Sequence, residues 1–391
     1  MFQNSACSHE ASCEGRKQVP LGNPDDFAIV GLQLARARRS LGISTEDAAR
    51  RAGVPESEVL EWERGVASPT IDQLWSLADL YERTSDYFFR DIPALPEVAA
   101  FRSNLIHSVK DLPAPARSAL VRFDELCRAS AEMESSLGTV SEITTRGKHV
   151  SERPEELAEI ERTRMELGDR PIRDLRARLT AEGVRIFFLL LPGLPPEELS
   201  GLSWWHPHYG PCILVNGKSN PGRRAFTLAH EYAHLLRSEG AVGCAYMLDI
   251  PEERYANQFA ACFLMPESSM TAAFLNVVGS QAVDPTDREL GRLASKFGVS
   301  LEALGWRLET IGLVRRGFTS EQIQRWETRP FRGRAPRGPK WRRQLGEGFV
   351  SLAVTAHESG KVSAAKLAKY FGLNIRETMD ALNHGQGETK N

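Results

Sequence analysis

The chain has 391 residues, with 49 Lys and Arg against 51 Asp and Glu and a formal net charge of −2. That length holds two to four domains, and the near-neutral balance excludes wholesale coating of nucleic acid, although a local basic patch would be hidden in the average. The first 26 residues lack a basic start followed by an apolar core of about 7–15 residues, and the longest apolar run, Ile186 to Leu191, is far too short to span a bilayer. A cytoplasmic protein with no membrane partner is expected. Six scattered cysteines make no disulfide framework, which suits a reducing compartment.

Residues 1–26 are small, polar and punctuated by Pro and Gly, and read as a disordered tail. Cys7, His9 and Cys13 lie there at irregular spacing with no fourth ligand nearby, so the tail reading is preferred to a metal knuckle. From Phe27 to Asp91, apolar residues recur at helical spacing in short segments divided by Gly42, Gly53 and Gly65, which predicts a compact all-α domain. A helical connector over 92–154 follows, built on a long helix from about Ala114 to Leu137 and closing in a polar stretch. Residues 155–316 change class. Strands are predicted over Val184 to Leu191 and Cys212 to Asn216, and helices over Arg224 to Leu236, Glu252 to Leu264, Asp287 to Phe297 and Leu301 to Ile311, an α+β domain. Residues 317–343 read as a basic linker and 344–391 as a small helical module. The whole is a multidomain, mostly α protein.

The segment Phe226-Thr-Leu-Ala-His-Glu-Tyr-Ala-His-Leu-Leu236 places two histidines at i and i+4 with a glutamate after the first. Helical spacing stacks His230 and His234 on one face, where both imidazoles can meet one Zn²⁺ at about 2.0–2.1 Å. Glu231 is then placed to accept a proton from a water activated by that metal. With nine histidines in the chain, chance would produce this spacing on the order of 0.01 times, so accident is a poor explanation. A catalytic zinc takes a third protein ligand, for which Glu239, Asp249, Glu252 and Glu253 are downstream candidates. Glu253 is preferred because Asn257, one turn further on, could orient a ligand histidine by hydrogen bonding; Glu252 is second. A plain reading of Glu253 also exists: an acid stabilised by the helix dipole after Pro251.

Arg224-Ala-Phe-Thr-Leu-Ala-His-Glu-Tyr-Ala-His234, Glu253-Arg-Tyr-Ala-Asn-Gln-Phe-Ala-Ala261 and Leu264-Met-Pro266 resemble the ImmA/IrrE family of metallopeptidases, as do Ile213-Leu-Val-Asn216 and Phe297 to Leu308. The resemblance covers residues 155–316. It implies a gluzincin-like fold in which His230, His234 and Glu253 bind zinc, Glu231 is the base, and the substrate is a protein, a helix-turn-helix repressor controlling stress-response or mobile-element genes.

Leu34 to Gly42, Ala48-Ala-Arg-Arg-Ala-Gly-Val54, Trp62-Glu-Arg-Gly65, Pro69-Thr70 and Leu74-Trp-Ser-Leu-Ala78 resemble the Xre/Cro type of helix-turn-helix domain. Its reading helix should be Pro55 to Trp62, and that helix turns Glu56, Ser57, Glu58 and Glu61 outward, an acidic surface facing a polyanion. Arg36, Arg38, Arg39, Arg50, Arg51 and Arg64 could still grip duplex phosphates, so DNA and protein docking both remain open for this domain. Phe88-Phe-Arg-Asp-Ile-Pro through Phe101-Arg102 resembles the connector found where this helix-turn-helix type precedes an ImmA/IrrE domain.

Arg329 to Arg343 carries seven Lys or Arg with Trp326, Phe331 and Trp341 around them; it could track a phosphate backbone, but a plain linker is preferred. Ser363 to Asn374 has the helix-glycine-turn pattern of a second small helix-turn-helix or of any helical hairpin. Two functions follow. The first is a zinc endopeptidase that its helix-turn-helix domain brings to a promoter or regulator. The other is a DNA-binding regulator or antitoxin whose peptidase fold is only a sensor or scaffold.

Overall fold

In the computed structural model of the protein, residues 24–89, 100–102, 111–139, 151–206, 208–237, 241–244, 250–280, 284–327 and 338–385 are described. The chain is mostly helical. Its contacts divide it into two units, Met1–Ile92 and Pro93–Asn391.

The first unit is all-α: α1 (Pro24–Leu41), α2 (Thr45–Ala52), α3 (Glu56–Glu63), α4 (Ile71–Leu80) and a closing 3-10 turn over Ser85–Phe89. Ser44 caps α2 by accepting from the Asp47 N–H, and Gly53 ends it in the left-handed region at φ 72°. That conformation suits glycine and sets the tight turn into α3. Thr70 and Gln73 form a reciprocal capping box at the start of α4. Leu34, Ala48, Val59, Trp62, Leu77 and Tyr81 are buried inside the unit, as the helical spacing predicts. The expected tail and its Cys7, His9 and Cys13 lie outside the described residues, except that α1 already starts at Pro24.

The second unit is built on a five-stranded sheet of order β1-β5-β3-β4-β2, formed by β1 (Ala100–Arg102), β2 (Arg185–Leu189), β3 (Gly201–His206), β4 (Gly210–Asn216) and β5 (Ala241–Cys244). β3 runs antiparallel to both neighbours, while the β2–β4 and β1–β5 pairs are parallel. Every residue of β4 is buried, and its side chains alternate between two cores. Ile213 and Val215 join the first of these, with α6 (Pro154–Arg164), α7 (Leu175–Ala181), α8 (Pro221–Leu236), α9 (Pro251–Leu264), α10 (Glu267–Val278), α11 (Asp287–Phe297), α12 (Leu301–Thr310) and α13 (Phe318–Glu327). Cys212 and Leu214 join the second, with α5 (Ala114–Leu137), α14 (Lys340–Leu345), α15 (Glu347–Glu358) and α16 (Ala364–Phe371); α17 (Ile375–Gly385) follows.

This three-layer arrangement differs from the sequence reading in three places. The connector helix and the C-terminal helices, expected as separate pieces, together cover the second face of the sheet, because a strand apolar on both faces must be covered on both. Arg176 fastens them there: its guanidinium donates to the carbonyls of Arg343 (2.7 Å) and Gln344 (2.9 Å) at the end of α14 and to that of Ile186 on β2 (2.5 Å). The expected linker over 317–343 contains α13, whose Phe318 and Trp326 are buried in the first core. Trp341 stacks on Phe371 at 4.6 Å between ring centroids, which takes it away from any base-stacking role. Phe331 and most of the basic run lie outside the described residues. The helix-turn pattern at Ser363–Asn374 is present as α16, Gly372 and α17, with the apolar side of α16 in the second core.

Cys127, Cys212 and Cys262 are unbridged and buried. Among the described residues no single helix is long and apolar enough to cross a membrane.

A chain ended at Glu327 would lose the part of the second core that α14, α15 and α16 supply, including Phe349 against Phe187, at about 1.5–3 kcal/mol for each large side chain exposed. It is expected to aggregate on a sizing column or to show no cooperative thermal transition for the second unit by circular dichroism. A monomer that melts like the full chain would show that the C-terminal helices are dispensable.

Candidate metal centre

α8 starts where Asn220 accepts from the Arg223 N–H and Pro221 takes the first helical position, where its missing N–H costs nothing. From Thr227 to Leu236 every residue is buried, so the helix runs through the protein with no solvent face in that stretch. Leu228, Leu235 and Leu236 join the core beneath the sheet, and His230 and His234 share a face turned toward α9. α9 opens with Pro251 and carries Glu253 in its first turn, where the helix dipole favours a carboxylate.

Three side chains converge from these helices. His230 Nε2 lies 3.0 Å from Glu253 Oε2 and 3.2 Å from His234 Nε2, and His234 Nε2 lies 3.4 Å from Glu253 Oε1. One ion with tetrahedral bonds of about 2.0–2.1 Å would space its ligand atoms about 3.3 Å apart, so the separations are those of a single small cation. Two imidazole nitrogens facing each other at 3.2 Å point the same way: without a shared cation or proton their lone pairs would repel. Burial is nearly complete, with 6% of His230, 1% of His234 and none of Glu253 exposed. Uncompensated polar atoms at such depth are costly, which favours a site built to hold a cation. His230, His234 and Glu253 could therefore hold a metal ion.

Protonation suits that use. Burial holds His230 below the ordinary histidine value, even though the contact with Glu253 pulls it up, so the ring is neutral near pH 7. Burial would raise Glu253, but the contacts with the two histidines outweigh it and keep the carboxylate ionised. Asn257 Oδ1 stands 2.9 Å from His230 Nδ1. An N–H donated there leaves the lone pair on Nε2, facing the other two groups.

Glu231 sits on α8 one residue from His230, wholly buried, with its side chain against β3. A Cβ at Gly201 would stand 2.5 Å from Glu231 Oε1 and 2.8 Å from its Cγ, so only glycine leaves the carboxylate room. Nothing in the sequence singled out Gly201, because β3 was not among the predicted strands and the contact joins residues 30 apart in the chain.

The other candidates fall elsewhere. Glu252, the second choice for a ligand, is outside the cluster, and Glu239 and Asp249 lie outside the described residues. Tyr232, next to Glu231 on α8, is turned into the core: its hydroxyl donates to Glu161 at 2.6 Å and accepts from Arg164 at 3.2 Å. Burial and the neighbouring Glu161 hold its phenol well above the ordinary value, so it stays a donor. His206 is buried on the far face of β3, stacked on Tyr209, with its Nδ1 accepting from the N–H groups of His208 and Tyr209. His208 is exposed.

In the first unit, Glu56, Ser57, Glu58 and Glu61 on α3 are all exposed, and Thr45 donates to Glu56. Of the six arginines considered for phosphate, Arg38 is held inside the unit, donating to both oxygens of Glu63 (2.5 and 2.7 Å) and to the Ile43 carbonyl (2.9 Å). That hydrogen bond raises its pKa further. Arg50 pairs with Glu46 and Asp47 on its own helix. Arg36 is half-buried, while Arg39, Arg51 and Arg64 are exposed.

Two family models match the chain. Residues 180–309 match the Peptidase_M78 family, described as the IrrE N-terminal-like domain, and residues 34–88 match the helix-turn-helix family HTH_3. No curated protein matches the chain. Fold and family together define a peptidase-type domain preceded by a DNA-binding-type domain. More particularly, the chain joins an N-terminal Xre-type helix-turn-helix to an IrrE/ImmA-like metallopeptidase domain, and the matched 180–309 contain α8, α9 and the three converging side chains.

Tyr232→Phe removes a hydrogen bond to a buried carboxylate on the rear side of α8. It is expected to cost about 1–3 kcal/mol of stability in a urea titration and to leave metal content unchanged. A loss of metal with unaltered stability would show that Tyr232 acts at the site itself.

Proposed function

We propose that the chain is a cytoplasmic zinc-dependent endopeptidase that cleaves a regulatory protein, such as a transcriptional repressor, to control stress-response or mobile-element genes. The observation that carries this reading is the convergence of His230, His234 and Glu253 at single-ion spacing beside a buried glutamate. The unbridged buried cysteines suit the reducing compartment.

His230, His234 and Glu253 are the residues that would hold the zinc. A zinc ion bound there would supply Lewis acidity toward water and toward the carbonyl of the scissile peptide. Glu231 is the general base. Its carboxylate, kept in place between α8 and Gly201, accepts the proton of the attacking water and returns it to the departing amide nitrogen. Asn257 fixes the ring and tautomer of His230. Burial of all four groups keeps bulk water from competing with their charges.

The helix-turn-helix unit recruits this activity. Its acidic α3 surface and the internal use of Arg38 favour docking on a protein, while Arg39, Arg51 and Arg64 leave a duplex contact available. A regulator that used the peptidase fold only as a scaffold would have no chemical need for Glu231.

Glu231→Gln tests the assignment. The variant is expected to keep its zinc, measured by elemental analysis of protein purified without chelators, while cleavage falls by about 10²–10⁴-fold. Expressed in the native host, it should retain a protein that the wild type cuts. Wild-type protein that binds no zinc, or a variant that cleaves at the wild-type rate, defeats the reading. Asn257→Ala is expected to weaken zinc binding about 10–100-fold in a competition titration, with the fold intact by circular dichroism.

A further inference from the structure

The register of the sheet leads from Glu231 to the connector. Gly201 touches the Glu231 side chain, and in the ladder it pairs with Val215 of β4 on one side and Cys244 of β5 on the other. Cys244 pairs in turn with Arg102 of β1. One row of the sheet therefore runs beneath the base and ends at the connector strand. Neighbouring strands lie about 4.8 Å apart, so β5 passes about 5 Å and β1 about 10 Å from the Gly201 main chain. On the opposite side of β3 the sheet continues through β4 to β2, so of the two edges the sheet would have without β1, that of β5 is the nearer to Gly201.

An endopeptidase must hold a stretch of protein substrate extended. The least sequence-demanding way is to add that stretch to a sheet edge, where main-chain groups supply the affinity. We propose that the edge of β5 is the docking edge for the extended substrate, and that the connector strand Ala100–Arg102 is an internal occupant that a substrate must displace. This rests on the peptidase reading above.

Three features mark β1 as an occupant of that edge and not an integral part of the sheet. It is three residues long, and β5 is its one strand neighbour. Its pairing is parallel, the less stable ladder per residue. It is also an addition to the family fold: β3, β4 and β5 lie within the matched residues 180–309, whereas β1 comes from far upstream, pairing Ala100 with Val242. β5 is also the next element after α8 in the chain. Displacing β1 would expose an unpaired row of N–H and C=O groups, which is the form of edge that an extended peptide joins.

The experiment uses the full zinc-loaded chain with β-casein, an unfolded protein, as probe. The double variant Ala100→Pro/Arg102→Pro removes two backbone donors from β1. With zinc content equal to wild type, it is expected to cleave casein at least ~10-fold faster, and the gain should vanish when Glu231→Gln is added. A synthetic peptide of residues 95–107, supplied to the wild type, should inhibit by raising KM with kcat unchanged. This arm stands even if the proline variant does not fold. Faster hydrogen exchange at 241–244 in the proline variant, slowed again by casein in the Glu231→Gln background, would complete the support. A folded, zinc-loaded proline variant no faster than wild type overturns the proposal, as does a peptide that leaves KM unchanged. Failure of the peptidase reading looks different: no zinc in the wild type, or casein cleavage that survives Glu231→Gln.

Discussion

Two imidazole nitrogens and a carboxylate held about 3 Å apart in a dry interior are stable only if something positive sits among them, and the second unit is organised around that constraint. A lone buried histidine pair would turn its rings away; a lone buried glutamate would take up a proton. Here neither happens, because each group answers another. Glu253 draws on both histidines, Asn257 claims the outer nitrogen of His230, and α8 and α9 are locked face to face so that no ring can swing clear.

That locking explains features away from the three converging side chains. α8 is held from behind by the Tyr232–Glu161–Arg164 contacts, a polar cluster that Glu182 completes by pairing with Arg164. Arg162, on the same turn of α6, donates to the carbonyls of Gly168 and Phe263, tying α6 to the end of α9. In front, Gly201 lets β3 approach close enough to confine Glu231. The far face of the sheet needs its own cover, supplied by α5 and the C-terminal helices. The result is a rigid frame around the buried Glu231 carboxylate.

The first unit follows a different logic. Its charges are largely spent on its own folding: Arg38 with Glu63 across two helices, Arg50 with the acids of the preceding turn, Ser44 and Thr70 at helix starts. What it offers outward is mixed, acidic along α3 and basic at Arg39, Arg51 and Arg64. Such a surface discriminates partners by electrostatic complementarity more than it binds any polyanion tightly.

Local chemistry made much of this readable in advance. Helical spacing fixes which side chains share a face within one turn, so His230 and His234 were legible as a pair, and the Glu253 to Asn257 interval identified a carboxylate and an amide on one side of a second helix. Capping residues and glycine stops placed most helix ends for the same reason. The sequence by itself determined the two helices that carry His230, His234 and Glu253, and the helix-turn-helix unit. Tertiary structure alone decided what those elements meet. The meeting of α8 with α9, the confinement of Glu231 by Gly201, the turning of Tyr232 and His206 into the cores, and the pairing of the connector with β5 all join residues far apart in the chain. Contacts of that kind leave no local period. They follow from burying both faces of one sheet at once, a condition that only the assembled chain can satisfy.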